Sequence, residues 1–123
     1  MRIPLQITYQ ELDRSDALDA EIQRRVDAFE SVCGDIGSCR VRVVRLAAHQ
    51  RQGRPYALRV DLRVPGEDIV VSHEHADEDA YVAIRDAMNA AQRRLEDYAR
   101  RRRGKVKSHA TPPARAAAEG ESD

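Results

Sequence analysis

Arginine is the side chain through which this sequence could do chemistry. It occurs as pairs, Arg24–Arg25 and Arg93–Arg94, and as a run, Arg100–Arg103, with Arg85 upstream of the second pair. A guanidinium is always charged, bridges two phosphate oxygens with one planar fork and stacks on a base, which a lysine does less well. The chemistry offered is anion recognition. The other reactive side chains fall short of a site. Asp77, Glu78 and Asp79 stand together as a carboxylate cluster would, but they suit the first turn of a helix. His73 and His75 form an i, i+2 pair with no third ligand at a defined spacing, so no metal is expected. Cys33 lacks a His/Asp arrangement, and there is neither a phosphate loop nor a nucleophile elbow. No enzyme, cofactor or small-molecule substrate is expected.

The charge distribution sharpens this. The chain has 123 residues, 21 basic and 21 acidic, for a formal net charge of zero. Residues 1–80 carry a net −4, residues 81–109 a net +6 and residues 110–123 a net −2. The zero is thus a sum of opposed segments, and a basic stretch before an acidic tail suggests a nucleic-acid partner. No apolar run approaches the ~20 residues of a membrane span, and the start lacks a secretory apolar core of ~7–15 residues. A cytoplasmic protein without a membrane partner is expected. Cys33 and Cys39 are too few for a disulfide scaffold and read as reduced thiols.

Six elements must position the arginines. Ile3, Leu5 and Ile7 alternate with polar residues, which predicts a strand over 3–8. Leu18, Ile22, Val26 and Phe29 make one helical stripe behind a cap at Asp13 or Ser15, with Gly34 as its stop. A second strand is predicted over 39–46, with a phase slip at Val44–Arg45–Leu46 that suggests a bulge or an end. Tyr56 to Val64 alternate without a break, Pro65–Gly66 form a tight turn, and 69–75 return as the paired strand. A long helix starts near Asp77 with Tyr81, Ile84, Met88, Ala91, Leu95 and Tyr98 on its apolar stripe, and ends at Gly104. On that wheel Arg93 and Arg100 point away from the sheet, Arg94 and Arg101 sit to one side, and Arg85 and Arg103 on the other. The order β-α-β-β-β-α predicts an α+β two-layer sandwich, a four-stranded sheet with two helices on one face. Residues 1–105 form the domain. Residues 106–123, with two prolines and no large apolar side chain beyond Val106, form a flexible tail. The open face of the sheet gathers Arg2, Arg40, Arg42, Arg59 and Arg63 against Asp61. That face reads as decoration against aggregation or as a second nucleic-acid-facing surface.

Three stretches carry a family resemblance: ITYQELDRSDALDAEIQRRV, LRVDLRVPGEDIVVS and EDAYVAIRDAMNAAQRRLEDYARR. In order, spacing and element type the chain resembles the bacterial ribosome hibernation-promoting factors and ribosome-associated translation inhibitors over about residues 1–103. The resemblance implies a non-enzymatic factor that binds the small ribosomal subunit and its rRNA under stress or in stationary phase. It would lie in the mRNA–tRNA channel and stop translation. The similarity is to the short form, without a C-terminal dimerisation domain, and implies a monomer off the ribosome.

Carried over by residue, Arg24 and Arg25 match the family's basic pair on the first helix and Arg93 its second-helix arginine. Ala28 and Ala90 stand where the family usually has lysines, Glu96–Asp97 where it has a polar or basic pair, and Tyr9 where a glycine is common. Arg85, Arg94, Arg100, Arg101 and Arg103 supply charge elsewhere. RNA-binding residues are therefore expected at Arg24, Arg25, Arg85, Arg93, Arg94, Arg100, Arg101 and Arg103. Two alternatives stay open: a diverged interaction or regulatory module with little ribosome affinity, and a general binder of double-stranded RNA.

Overall fold

The computed structural model describes residues 3–46, 55–75 and 79–110, with His75 and 105–110 described by backbone alone. The elements are β1 (Leu5–Gln10), α1 (Asp16–Phe29), β2 (Ser38–Arg45), β3 (Tyr56–Val64), β4 (Glu67–His75) and α2 (Ala80–Ala110). The strands lie in sequence order in one sheet. β1 runs parallel to β2, with α1 as the crossover, and β2, β3 and β4 form an antiparallel meander. This is the expected α+β arrangement, β-α-β-β-β-α.

Alternation decides which face the helices cover. Cys39, Val41 and Val43 on β2, Tyr56, Leu58, Val60, Leu62 and Val64 on β3, and Ile69 and Val71 on β4 are all buried. The helices bring Leu18, Ile22, Val26 and Phe29 from α1 and Ile84, Ala87, Met88, Ala91, Leu95 and Tyr98 from α2 into the same core. Each large aliphatic or aromatic side chain buried this way contributes roughly 1.5–3 kcal/mol. Alanines at 83, 87 and 91 let α2 settle close to its neighbours. Burial also pushes the Cys39 thiol up to about 12, so that cysteine stays a neutral core side chain. Both cysteines are free.

Ser15, not Asp13, caps α1: its Oγ accepts from the Leu18 N–H at 3.2 Å. The helix ends at Phe29, before Gly34. The Val32 and Cys33 N–H groups both bond the Phe29 carbonyl at 3.0 Å, and this turn brings Val32, Cys33 and Ile36 back against the core. β1 begins at Leu5, two residues later than predicted, yet Ile3 is buried all the same. No bulge interrupts β2, whose register runs unbroken to Arg45 opposite Tyr56. Arg45 holds the inward phase by lying over the Tyr56 ring at 4.8 Å and donating to its hydroxyl at 3.0 Å. A charged side chain in an apolar slot is what looked like a slip.

β4 pairs with β3 from Glu67 onward, so the hairpin loop is Pro65–Gly66 alone. Pro65 presets a negative φ and Gly66 takes φ +87°, the combination of a type II turn. Asp79 caps α2, its Oδ1 accepting from the Tyr81 N–H at 2.9 Å, while Asp77 and Glu78 lie outside the described residues. α2 does not stop at Gly104. It continues to Ala110, because a glycine between arginine and lysine costs a helix only ~1 kcal/mol and no left-handed turn follows. The helix thereby runs through 106–110, which the sequence reading assigns to the tail, and 111–123 lie outside the described residues. Tyr81 is not core: it is 47% exposed, in the first turn at the edge of the stripe. Tyr98 is core, and its hydroxyl donates to the Pro65 carbonyl at 2.8 Å, tying α2 to the β3–β4 turn.

Candidate nucleic-acid interface

The predicted arginines fall into two clusters, one per helix. On α1, Arg24 and Arg25 follow the buried Ile22 on the outer side of the stripe. They converge on one carboxylate: Arg24 Nη2 and Arg25 Nε each donate to Glu21 Oε2 at 2.7 Å. Arg25, then Arg24, hold the Glu21 carboxyl below the usual carboxylate range through these hydrogen bonds. Glu21 therefore stays ionised at neutral pH, and the pair presents one net positive charge. Arg24 is well exposed and Arg25 half-buried.

On α2 the helical period spreads the arginines around the side not buried by the sheet. Arg93 is exposed and, among the described residues, has no hydrogen bond or ion pair. Arg94 turns toward the outer edge of β4, where its Nη1 donates to the Val70 carbonyl at 3.2 Å. One helical repeat further on, Arg101 approaches Glu67 at the start of β4, at 3.6 Å. Arg93 and Arg94 thus border a shallow groove between α2 and β4, floored by Val70, Ser72 and Ala90. Its outer strand edge offers unpaired backbone groups, and Arg94 occupies one of them.

The remaining predicted residues are less available. Arg85 pairs with its neighbour Asp86 at 3.0 Å, and Arg100 pairs with Asp97. Arg103 is exposed and, among the described residues, unpaired. The structure therefore joins Arg24 to Arg25 at Glu21 and gathers Arg93, Arg94 and Arg101 along β4. Arg85 lies apart from the groove. Exposed ion pairs of this kind are worth about 0–1 kcal/mol, so a phosphate can compete for Arg24, Arg85, Arg100 and Arg101.

Arg102 has a different job from the rest of its run. It reaches the turn after α1, where Nη1 donates to Asp35 Oδ2 at 2.8 Å and lies 3.4 Å from the Tyr98 hydroxyl. Its place four residues beyond Tyr98 on the stripe is the sequence signal for that role. No group of three or more metal-ligating side chains occurs among the described residues, where His73 is half-buried on β4. No helix among them is long and apolar enough to cross a membrane.

Known proteins share this fold. The family described as Sigma 54 modulation protein / S30EA ribosomal protein matches residues 5–103, from the first residue of β1 well into α2. No curated protein matches the chain. Among solved structures, a ribosomal subunit interface protein from Coxiella burnetii is similar at 18% identity and a TM-score of 0.62, over 78% of this chain and 97% of that one. The Protein Y N-terminal domain from Thermus thermophilus is similar at 18% identity and a TM-score of 0.60, over 80% of this chain and 99% of that one. At that identity the likeness concerns the fold.

Proposed function

The chain belongs to the Sigma 54 modulation protein / S30EA ribosomal protein family, and from that membership we propose that it binds the ribosome and inhibits translation. The target is the small subunit, held through rRNA in the channel that mRNA and tRNA use, during stress or stationary phase. The observation that carries this reading is Arg93: an exposed guanidinium without a partner among the described residues, next to Arg94 on the rim of the α2–β4 groove. RNA in a structured channel is held largely by phosphates and shape, and a rigid sheet backing an arginine-studded helix suits that task. Arg24 and Arg25 supply a second point of contact, with Arg100, Arg101 and Arg103 extending the α2 surface. Arg85 lies on the other flank and contributes least. The partner recognised by this chemistry is RNA, with no catalytic step required.

Sedimentation of lysate from starved cells tests the reading. The protein should travel with small subunits at low salt and leave them as salt rises. R93E/R94E should weaken binding and flatten the salt dependence, by ~0.7–0.9 in log–log slope for each phosphate no longer neutralised. Wild-type protein staying at the top of a low-salt gradient would sink the proposal. One observation favours a second reading, a diverged module with little ribosome affinity: Arg24, Arg25, Arg85 and Arg100 all pair with carboxylates of their own helices. A pull-down dominated by one non-ribosomal protein would favour that reading.

A further inference from the structure

The sheet has a second face, away from both helices, and its register can be read as a grid. One row across the strands is Gln6, Arg40, Asp61 and Val70. The next is Thr8, Arg42, Arg59 and Ser72. Arg40, Arg42 and Arg59 are all exposed. Strand spacing puts neighbouring rows ~6.6 Å apart and neighbouring strands ~4.8 Å apart, so the three guanidinium stems rise from one small area. Asp61 is the only carboxylate in these two rows, and Arg59 Nε occupies it at 3.1 Å. Among the described residues, Arg40 and Arg42 have no hydrogen bond or ion pair. Arg42 and Arg59 stand directly opposite each other, and like charges in that position destabilise a sheet.

The Arg42–Arg59 opposition works against folding stability, and two cations without a partner among the described residues are suited to an anion from outside the chain. Gln6 and Thr8 on β1 add hydrogen-bonding groups beside Arg40 and Arg42, in the same shallow depression. The two rows hold no aromatic residue. Clustered guanidinium forks suit the backbone phosphates above all, since each fork can bridge two phosphate oxygens.

We infer that the open sheet face, through Arg40, Arg42 and Arg59, is a second surface for the RNA phosphate backbone, opposite the helical one. The inference rests on the reading that this chain binds RNA. It adds that the domain is held between two RNA segments, one on each layer of the sandwich. Recognition at the sheet face is independent of base sequence and falls as salt rises.

The test uses the full chain with purified small subunits and with a fluorescein-labelled oligouridylate. R40Q/R42Q should lower oligouridylate affinity about tenfold and flatten the log–log salt slope by roughly 1.4, two phosphates at ~0.7 each on a single strand. R40K/R42K should retain most of both. On the small subunit, which would engage both surfaces at once, the loss should add to that of R93Q/R94Q, because no arginine belongs to both surfaces. The melting temperature of R42Q should hold or rise, since the opposed pair is relieved. In the wild type, saturating oligouridylate should protect Arg40 and Arg42 from phenylglyoxal, a readout independent of how any variant folds.

Lack of protection overturns the inference. So does an unchanged slope in R40Q/R42Q beside a reduced one in R93Q/R94Q, a result that leaves the helical site standing. Competition by polyglutamate equal to that by RNA, charge for charge, makes the face a general polyanion surface and defeats the RNA assignment. Wild-type protein that binds neither subunits nor oligouridylate defeats this inference and the proposed function together.

Discussion

Glu21 is the most informative residue to change, because its removal should move stability and RNA affinity in opposite directions. Its carboxylate accepts from Arg24 and from Arg25, both at 2.7 Å, at i, i+3 and i, i+4 spacing on α1. Pairs of that spacing on an exposed helix stabilise by about 0.3–0.5 kcal/mol each. E21Q should therefore cost the fold roughly 0.6–1 kcal/mol, or about 3–6 °C in melting temperature for a domain of this size. The same change raises the local charge from one net positive to two and frees both guanidinium forks. One further phosphate neutralised steepens the salt slope by ~0.7–0.9, so the gain over wild type should shrink about threefold between 50 and 200 mM salt.

The Glu21 carboxyl is held below its ordinary value, so its contribution is present above the unfolded-state value near 4.3. It is lost only as pH falls through the still lower folded-state value. The E21Q effect should thus be flat from pH 5 to 8. Titration of labelled RNA by anisotropy, beside thermal melts, reads all of this. R24Q/R25Q is the control, in which affinity and stability should fall together. E21Q melting lower with unchanged affinity and slope would refute a place for the α1 pair in the interface.

Ala90 lies half-buried on the floor of the groove beside Arg93 and Arg94, where a lysine stem has room along the surface. A90K should tighten RNA binding and steepen the salt slope by ~0.7–0.9, measured by the same anisotropy titration. Burial first, and then the hydrogen bond to Asp19 at 2.8 Å, push the Tyr9 hydroxyl well above its usual value. A raised folded-state value means the contribution is complete below pH ~10 and disappears as pH rises further, so Y9F should flatten the alkaline limb of a melting-temperature profile. Gly66 sits at φ +87°, where a Cβ is strained although no atom blocks it. G66A should destabilise by about 1–2 kcal/mol in urea unfolding, with an unchanged m-value.

The parts of the fold that were legible in the sequence are those where one period runs without interruption. β3 is predicted to the residue because five apolar side chains alternate with polar ones and Pro65–Gly66 close the strand. Where a side chain serves the core in an unusual way, the pattern misleads. Arg45 is inward only because it lies on Tyr56, and α1 stops at Phe29 because Val32 and Ile36 are needed elsewhere in the core.

The arginine cluster was legible as composition and helical angle, which place Arg93 outward and Arg94 to one side of the stripe; that this side is β4 needed the packed structure. Which arginines are engaged was only partly so. Glu21 with Arg24 and Arg25 follows from helical spacing. Arg101 with Glu67 and Arg102 with Asp35 join residues 34 and 67 positions apart, and such pairings exist only once the layers are packed. The opposition of Arg42 and Arg59 needed the strand register, which no single strand contains.

The parallel pairing of β1 with β2 also sets an order of assembly. β2, β3 and β4 are neighbours in sequence, joined through residues 46–55 and through Pro65–Gly66, so the meander closes small loops. β1 reaches β2 only across α1 and its connections, and must wait until that loop closes and the helix finds the core. On this topology the N-terminal strand is expected to dock last, and late amide protection of Leu5–Gln10 in pulsed hydrogen exchange would register it. Until it docks, the free side of β2 is an open strand edge, so the emerging chain is most prone to mispairing in the interval before its first strand finds its place.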